Sequence, residues 1–405
     1  MARQGREHGV NSLTHAEATS LLGAALTARY GWAYDEIHAT FTDALSLMGG
    51  SAPTEMLLPV LWGLWLNMLT QGRPEESLRW VYRMFDEAEA RSDADLKVLA
   101  HSAAQVSYFW AGFLSESERH GEEVATGFDA KRYADLAAIT HHNPRTTAGA
   151  YLGQALWVRG YPDRALGHYR ATVDFVSKSS HPFDTCFAWI LAGYVVAYRR
   201  EPDETLRAAA NAYRISREIG IPFMEYVVTP PLEAFALFET GEYERVCRTI
   251  ESAVGHWRAV GGGTNIPNWS GIWALASALL GRFVEAERIL DEAVTMIAKA
   301  GWGEKSHLAE VLRIRGEVKV LQGQFDLAEE AFRDSLVQAR DQGAKSWELR
   351  TSLSYARLMK DRGYRDEAVA LLRPIYDWFT EGRDTKDHIE AHQLLDELEG
   401  RRATH

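Results

Sequence analysis

Gly160-Tyr161-Pro162-Asp163-Arg164-Ala165 sets a phrase that the chain repeats as Gly281-Arg282-Phe283-Val284-Glu285-Ala286, Gly323-Gln324-Phe325-Asp326-Leu327-Ala328 and Gly363-Tyr364-Arg365-Asp366-Glu367-Ala368. Weaker copies begin at Gly72, Gly112, Arg200 and Gly241, with an off-register one near Gly31. Successive starts lie 40 to 42 residues apart, except for a step of 48 between Gly112 and Gly160. Self-similarity at a fixed period marks a stacked-repeat architecture, in which each unit buries its apolar face only against its neighbours. The phrase therefore predicts about nine repeats with a period of about 41.

Working outward, Gly153, Gly193, Ala234, Ala274, Gly316 and Ala356 each stand seven positions before a turn. A small residue there lets one helix approach the backbone of the next. The turn glycine takes the positive φ that ends a helix, and the alanine five residues later opens the following helix where it crosses its partner. A large residue and then a small one come further along, as in Phe332 and Ser335 or Leu290 and Ala293, so paired helices interlock by size. Ala286, Ile289, Leu290, Ala293 and Val294 trace a helical apolar stripe. No stretch alternates with period two, so strands are not expected.

These patterns predict an all-α chain: a right-handed superhelix of tetratricopeptide-like (TPR-like) helix-turn-helix repeats over residues 13–399. Residues 1–12 are expected to be a loosely ordered N-terminal segment and residues 400–405 a tail. The period lies nearer the HEAT and armadillo range than the roughly 34 residues of a minimal TPR. The short, tight elbow with its aromatic and alanine still favours the TPR-like form.

Departures from regularity are also legible. The 48-residue step places a longer loop or insertion between Ser115 and Pro144. Pro230-Pro231 predicts a late start or a kink in one first helix. Gly261 to Asn268 reads as an inter-repeat loop opening onto a helix at Trp269. Asp384-Thr385 offers an N-cap to a terminal helix of about Lys386 to Glu399 that is polar on one side. The helix from Leu13 to Tyr30 is rich in Ala and Leu, and an exposed apolar face there would indicate an upstream domain or homo-oligomeric association.

Composition narrows the function classes. The 405 residues are 46% hydrophobic and 25% charged, a globular balance, and carry a net charge of -12. That charge disfavours a grip on nucleic acid, and Arg199-Arg200 and Arg401-Arg402 read as solvated helix ends. Cys186 and Cys247 read as small buried hydrophobes in a reducing compartment. Met1 to Asn11 is no signal peptide, and Met56 to Leu69, broken by Pro59, Gly63 and Asn67, is too short for a membrane span. A cytoplasmic protein with no membrane partner is expected.

Catalytic chemistry finds little footing. Gly261 to Gly263 lacks the lysine and the preceding strand of a phosphate-cradling loop. His120, His141 and His142 lack metal-ligand spacing, and Glu122-Glu123 and Glu329-Glu330 point to different parts of a helix surface. No Gly-x-Ser-x-Gly elbow occurs. The reading is a non-enzymatic chain without metal or cofactor.

Aromatic and arginine side chains dominate binding hot spots, and the chain has 13 tryptophans. Most, such as Trp157 and Trp189, are expected in the core. First helices line the inner wall of a TPR superhelix, which singles out Trp269, Trp302 and Trp347 near helix starts, with Glu310, Arg313, Glu348, Arg350 and Arg357. They form either a polar stripe suited to a protein, a peptide or a small polar ligand, or a solvated ladder of charges paired between repeats.

Leu58 to Leu64, Ala150 to Ala165, His181-Pro182-Phe183, Glu310 to Glu317, Gln342 to Arg350 and Leu372 to Asp384 carry a resemblance. In these residues the chain resembles the C-terminal TPR region of bacterial proteins that join a class III adenylate/guanylate cyclase to an AAA-type (STAND-type) signalling ATPase. That region is similar to the superhelical sensor domain of maltose-regulon-type transcriptional activators. No Walker A motif is present and no cyclase domain fits, so neither activity carries over. The resemblance implies a protein-interaction or inducer-sensing module, as a stand-alone relative or a piece of a larger protein, with catalysis in the groove as a third option.

Overall fold

The computed structural model describes residues 2–49, 52–129, 143–178 and 181–400. Among the described residues nine helix pairs follow one another: α1 (Ala2–Tyr30) with α2 (Asp35–Met48), α3 (Thr54–Thr70) with α4 (Pro74–Arg91), and α5 (Ala94–Ala111) with α6 (Leu114–Gly127). Then come α7 (Pro144–Val158) with α8 (Pro162–Ser177), α9 (Pro182–Tyr198) with α10 (Pro202–Ile219), and α11 (Thr229–Glu239) with α12 (Tyr243–Ala259). The last pairs are α13 (Ile266–Leu279) with α14 (Phe283–Ala298), α15 (Leu308–Leu321) with α16 (Phe325–Asp341), and α17 (Lys345–Asp361) with α18 (Arg365–Trp378), closed by α19 (Lys386–Leu398). The described residues contain no strand. The fold is the all-helical repeat superhelix that the turn phrase predicts.

Local chemistry sets the helix ends. Proline at the first position starts α4, α7, α8, α9 and α10, where its missing N–H costs nothing. The Asp93 carboxylate caps α5 by accepting from Asp95 N and Leu96 N, both at 3.0 Å. Each pair is joined by a turn residue in the left-handed region, Gly160 at φ 95° for example. Around Pro230-Pro231 the chain makes a π-helical turn, Met224–Val228, before α11 begins, which is how it absorbs the missing amide hydrogens. The helix containing Leu13 starts upstream at Ala2, and it leaves Leu21 and Leu22 exposed.

The size code holds in three dimensions. A Cβ on Gly316 would lie 2.4 Å from the ring of the fully buried Phe332, and one on Gly193 would lie 2.9 Å from Leu232. Ala165, Ala286, Ala328 and Ala368 are all fully buried at the crossing points. Cys186 and Cys247 are buried free thiols.

One feature has no trace in the repeat period: the superhelix stacks on itself after five repeats. The last carbonyls of a helix lack intrahelical donors, and here the loop before the repeat five further along supplies them. Gly263 N and Thr264 N donate to Thr70 O at the end of α3 (2.9 and 3.2 Å). Lys305 N and Ser306 N donate to Trp110 O at the end of α5 (2.8 and 3.2 Å). At the third junction the donor is a side chain in the first turn of α17: Ser346 Oγ donates to Trp157 O in α7 (2.5 Å), which also accepts Gly160 N (3.0 Å).

At these junctions Gly263 faces backbone rather than side chain, since a Cβ there would sit 2.3 Å from the Gln71 carbonyl oxygen. Gly263→Ala is expected to lower unfolding free energy by about 1–3 kcal/mol, because the obstacle is backbone and cannot rotate away. Gly255→Ala, in α12 with nothing within 4 Å, is expected to stabilise by up to about 1 kcal/mol. Urea titration of the two variants checks this, and equal effects would remove Gly263 as a junction.

Candidate functional site

Stacking two turns encloses the axis of the superhelix, and the first helices supply its wall. Toward the C-terminal half the axis opens into a cavity of about 270 Å³ lined from α9, α11, α13, α15, α17 and α19. One side is apolar, with Phe235, Ile272, Leu275, Leu279, Leu321 and Leu353. The other is ionic: Arg200, Arg313, Arg350 and Arg357 face Glu239, Glu310, Glu317, Asp387 and Glu390.

Arg313 grips Glu310 with both fork positions (Nε 2.7 Å, Nη2 2.8 Å) and reaches Glu317 at 3.1 Å. Arg350 Nε meets Asp387 at 2.7 Å, its Nη1 lies 3.4 Å from Glu310, and its Nη2 donates to Tyr198 O at 2.6 Å. The same guanidinium stands 4.8 Å from the Trp157 ring centre and 5.2 Å from that of Trp347. Arg357 pairs with Glu390 at 2.8 Å near the mouth. Burial pushes the Asp387 carboxyl up, but Arg350 and Arg200 outweigh it and hold it below the usual carboxylate range. Burial also raises Glu310, and Arg313 and then Arg350 bring it below its ordinary value. These charges do pair between neighbouring repeats, yet as a largely desolvated network rather than a solvated ladder.

Four of the eight residues singled out by sequence, Glu310, Arg313, Arg350 and Arg357, therefore meet on one cavity. Trp269 lines a second, aromatic cavity further along the axis and donates its Nε1–H to Tyr194 Oη at 2.8 Å. Trp302, Trp347 and Glu348 line neither cavity. Trp347 fills the space between turns, donating to Ser306 O at 3.2 Å. Buried Glu348 is occupied by Arg340 and Lys345, each at 2.8 Å. Half-buried Trp302 carries Lys299 Nζ 4.0 Å above its ring.

Arg199 and Arg200 are not solvated helix ends. Arg199 is buried at the stacking seam, bonded to Pro162 O (3.0 Å) and Glu201 (2.6 Å). Arg200 occupies the slot that glycine fills in the other turns, at φ 63°, a conformation that costs a side-chain-bearing residue on the order of 1 kcal/mol. From there it reaches Glu239 (2.8 Å), Asp387 (3.1 Å) and Glu390 (3.0 Å). An arginine in a glycine slot was the available sequence signal for this residue. Asp387 and Glu390 had none, because they belong to the terminal helix read as a cap.

Between the cavities runs a buried polar seam. Tyr198 Oη lies 2.7 Å from His307 Nε2, and His307 Nδ1 lies 2.9 Å from Ser306 Oγ. Burial lowers the His307 imidazole to about 3, so it is neutral and serves as a structural linker. His120 Nδ1 lies 2.8 Å from His101 Nδ1, while His141 and His142 fall outside the described residues. Among the described residues no three His, Cys, Asp or Glu side chains gather as a metal-type set, and no helix is long and apolar enough to cross a membrane.

Residues 147–171 and 349–374 match the tetratricopeptide repeat family. In three dimensions the chain is similar to a Rap protein solved in complex with competence and sporulation factor, at 13% identity, covering 86% of this chain and 100% of that one with a TM-score of 0.53. The apo form of RapI aligns at 16% identity over 63% of this chain and 98% of that one, with a TM-score of 0.39. No curated protein matches the sequence. The likeness to the Rap complex agrees with a TPR-like fold.

Proposed function

We propose that the chain is a non-catalytic, cytoplasmic regulatory module that binds a short peptide segment in the ion-lined cavity. The observation that carries this reading is the amphipathic wall: paired guanidinium and carboxylate groups face an apolar strip whose Leu279 and Leu321 stay 41% and 43% exposed at the mouth. A peptide end presents both chemistries, apolar side chain beside charged or amide groups, and the limited volume suits a segment rather than a folded domain. The Rap protein solved with a bound factor supports a ligand-binding use of such a superhelix. The resemblance to cyclase–ATPase and maltose-regulon-type regulators supports a signalling setting.

Selection from a library of short peptides against the full chain tests the proposal. Selected peptides are expected to bind Leu321→Glu at least about tenfold more weakly than wild type, while that exposed change moves stability by about 0.5 kcal/mol or less. Failure to select any peptide, or equal binding to both proteins, would reject the reading.

A further inference from the structure

The second axial cavity, of about 110 Å³, is walled by the rings of Trp32, Trp65, Trp110, Tyr151, Trp257 and Trp269. Four of these indoles have their N–H groups already committed: Trp65 to Ser107 Oγ (2.9 Å), Trp110 to Tyr151 Oη (3.1 Å), Trp257 to Thr264 O (3.0 Å) and Trp269 to Tyr194 Oη (2.8 Å). They have no N–H left for a ligand and offer only ring carbon and π-electron density. Aromatic rings gathered in this way attract cations through their quadrupoles, and quaternary ammonium groups are the usual guests.

Two independent polar features point the same way. Thr147 lines the cavity, is 2% exposed, and its Oγ1 has no hydrogen-bond partner among the described residues. A buried hydroxyl without a partner costs about 1–3 kcal/mol, which a ligand hydroxyl can recover. Glu304 lies behind the cavity wall, bonded to Asn265, which lines it, and is 3% exposed. Among the described residues its two carboxylate oxygens accept only the Asn265 backbone N–H, at 3.0 and 3.1 Å. No cation offsets it among the described residues, so burial drives its carboxyl well above the usual range. A cation bound nearby favours the charged form that burial disfavours, so the two charges compensate each other where neither is favourable alone.

We propose that this cavity binds the head group of a small hydroxyalkyl-ammonium cation, with the rings around the cation, Glu304 as countercharge and Thr147 on the ligand hydroxyl. The volume admits a trimethylammonium head and little more. This site is separate from the peptide cavity, so either assignment stands or falls alone.

The test is a titration of the full chain with choline, tetramethylammonium and the neutral choline isostere 3,3-dimethylbutan-1-ol, followed by tryptophan fluorescence and melting temperature. Choline is expected to saturate and to raise Tm, with the isostere at least about tenfold weaker. Glu304→Gln should erase that preference, Thr147→Val should bring choline down to tetramethylammonium, and Leu321→Glu should change neither. Equal binding of choline and its neutral isostere to the wild type, or no saturable response to either cation, overturns the assignment even if the buried-site variants do not fold.

Discussion

Replacing Arg350 with alanine is expected to lower the unfolding free energy by about 3–5 kcal/mol, the cost of breaking a buried ion pair from one side. The side chain of Asp387 is 9% exposed and that of Glu310 13%, so neither carboxylate regains much water when the guanidinium leaves. The Tyr198 carbonyl at the end of α9 loses its donor as well, and the faces of Trp157 and Trp347 lose the cation packed over them. Arg350→Lys is expected to recover little, because one ammonium cannot hold Asp387, Glu310 and Tyr198 O at once.

The pH dependence has a defined sign. Asp387 and Glu310 have folded-state values below their unfolded ones, so their contribution is fully present above the unfolded carboxylate range and disappears as pH falls through the folded values. Both proteins lose stability below about pH 6.5, where unfolded His307 takes a proton that the folded one refuses, so the network shows in the difference between them: the advantage of wild type over Arg350→Ala should persist down to about pH 4 and shrink below it. Urea unfolding at a series of pH values measures both. A loss under about 1 kcal/mol at neutral pH would mean that the network is not what clamps the two turns.

Which features could be read in advance depends on how far apart in sequence their partners are. The turn phrase and the small residues at Gly153, Gly193 and Gly316 record contacts within one repeat or with the next, so the period carries them directly. The stacking of turns joins Thr70 to Gly263 and Trp157 to Ser346, contacts set by a small rotation accumulated over five repeats, and no local pattern encodes that sum. Arginines became misleading for the same reason: Arg199 looks like a solvated helix end until Asp163 and Asp384 close over it. Glu310, Arg313, Arg350 and Arg357 share one cavity wall because the inner face of the first helices follows from the repeat register alone. Glu304 lies in the loop before α15, between Asn265 of the preceding repeat and the end of α5 on which Lys305 and Ser306 are stacked, so its burial has no local sequence signal.

Trp347→Ala is the second large effect, and it separates folding from binding among the aromatic residues that look alike in sequence. Trp347 is 1% exposed, its ring centre 4.8 Å from that of Trp157, 5.8 Å from Tyr198 and 5.9 Å from His307. Truncation leaves a void bounded by rings that already pack in fixed geometry, strips one of the two rings under Arg350 and leaves Ser306 O without its donor. The expected loss is about 3–5 kcal/mol, with peptide affinity falling only as the folded fraction falls. Trp302→Ala, which removes a half-buried ring and one Lys299 contact, is expected to cost about 1 kcal/mol or less. Denaturant curves for the pair decide the matter: if Trp347→Ala unfolds no more easily than Trp302→Ala, the interior between the turns is not the packed seam on which both cavities depend.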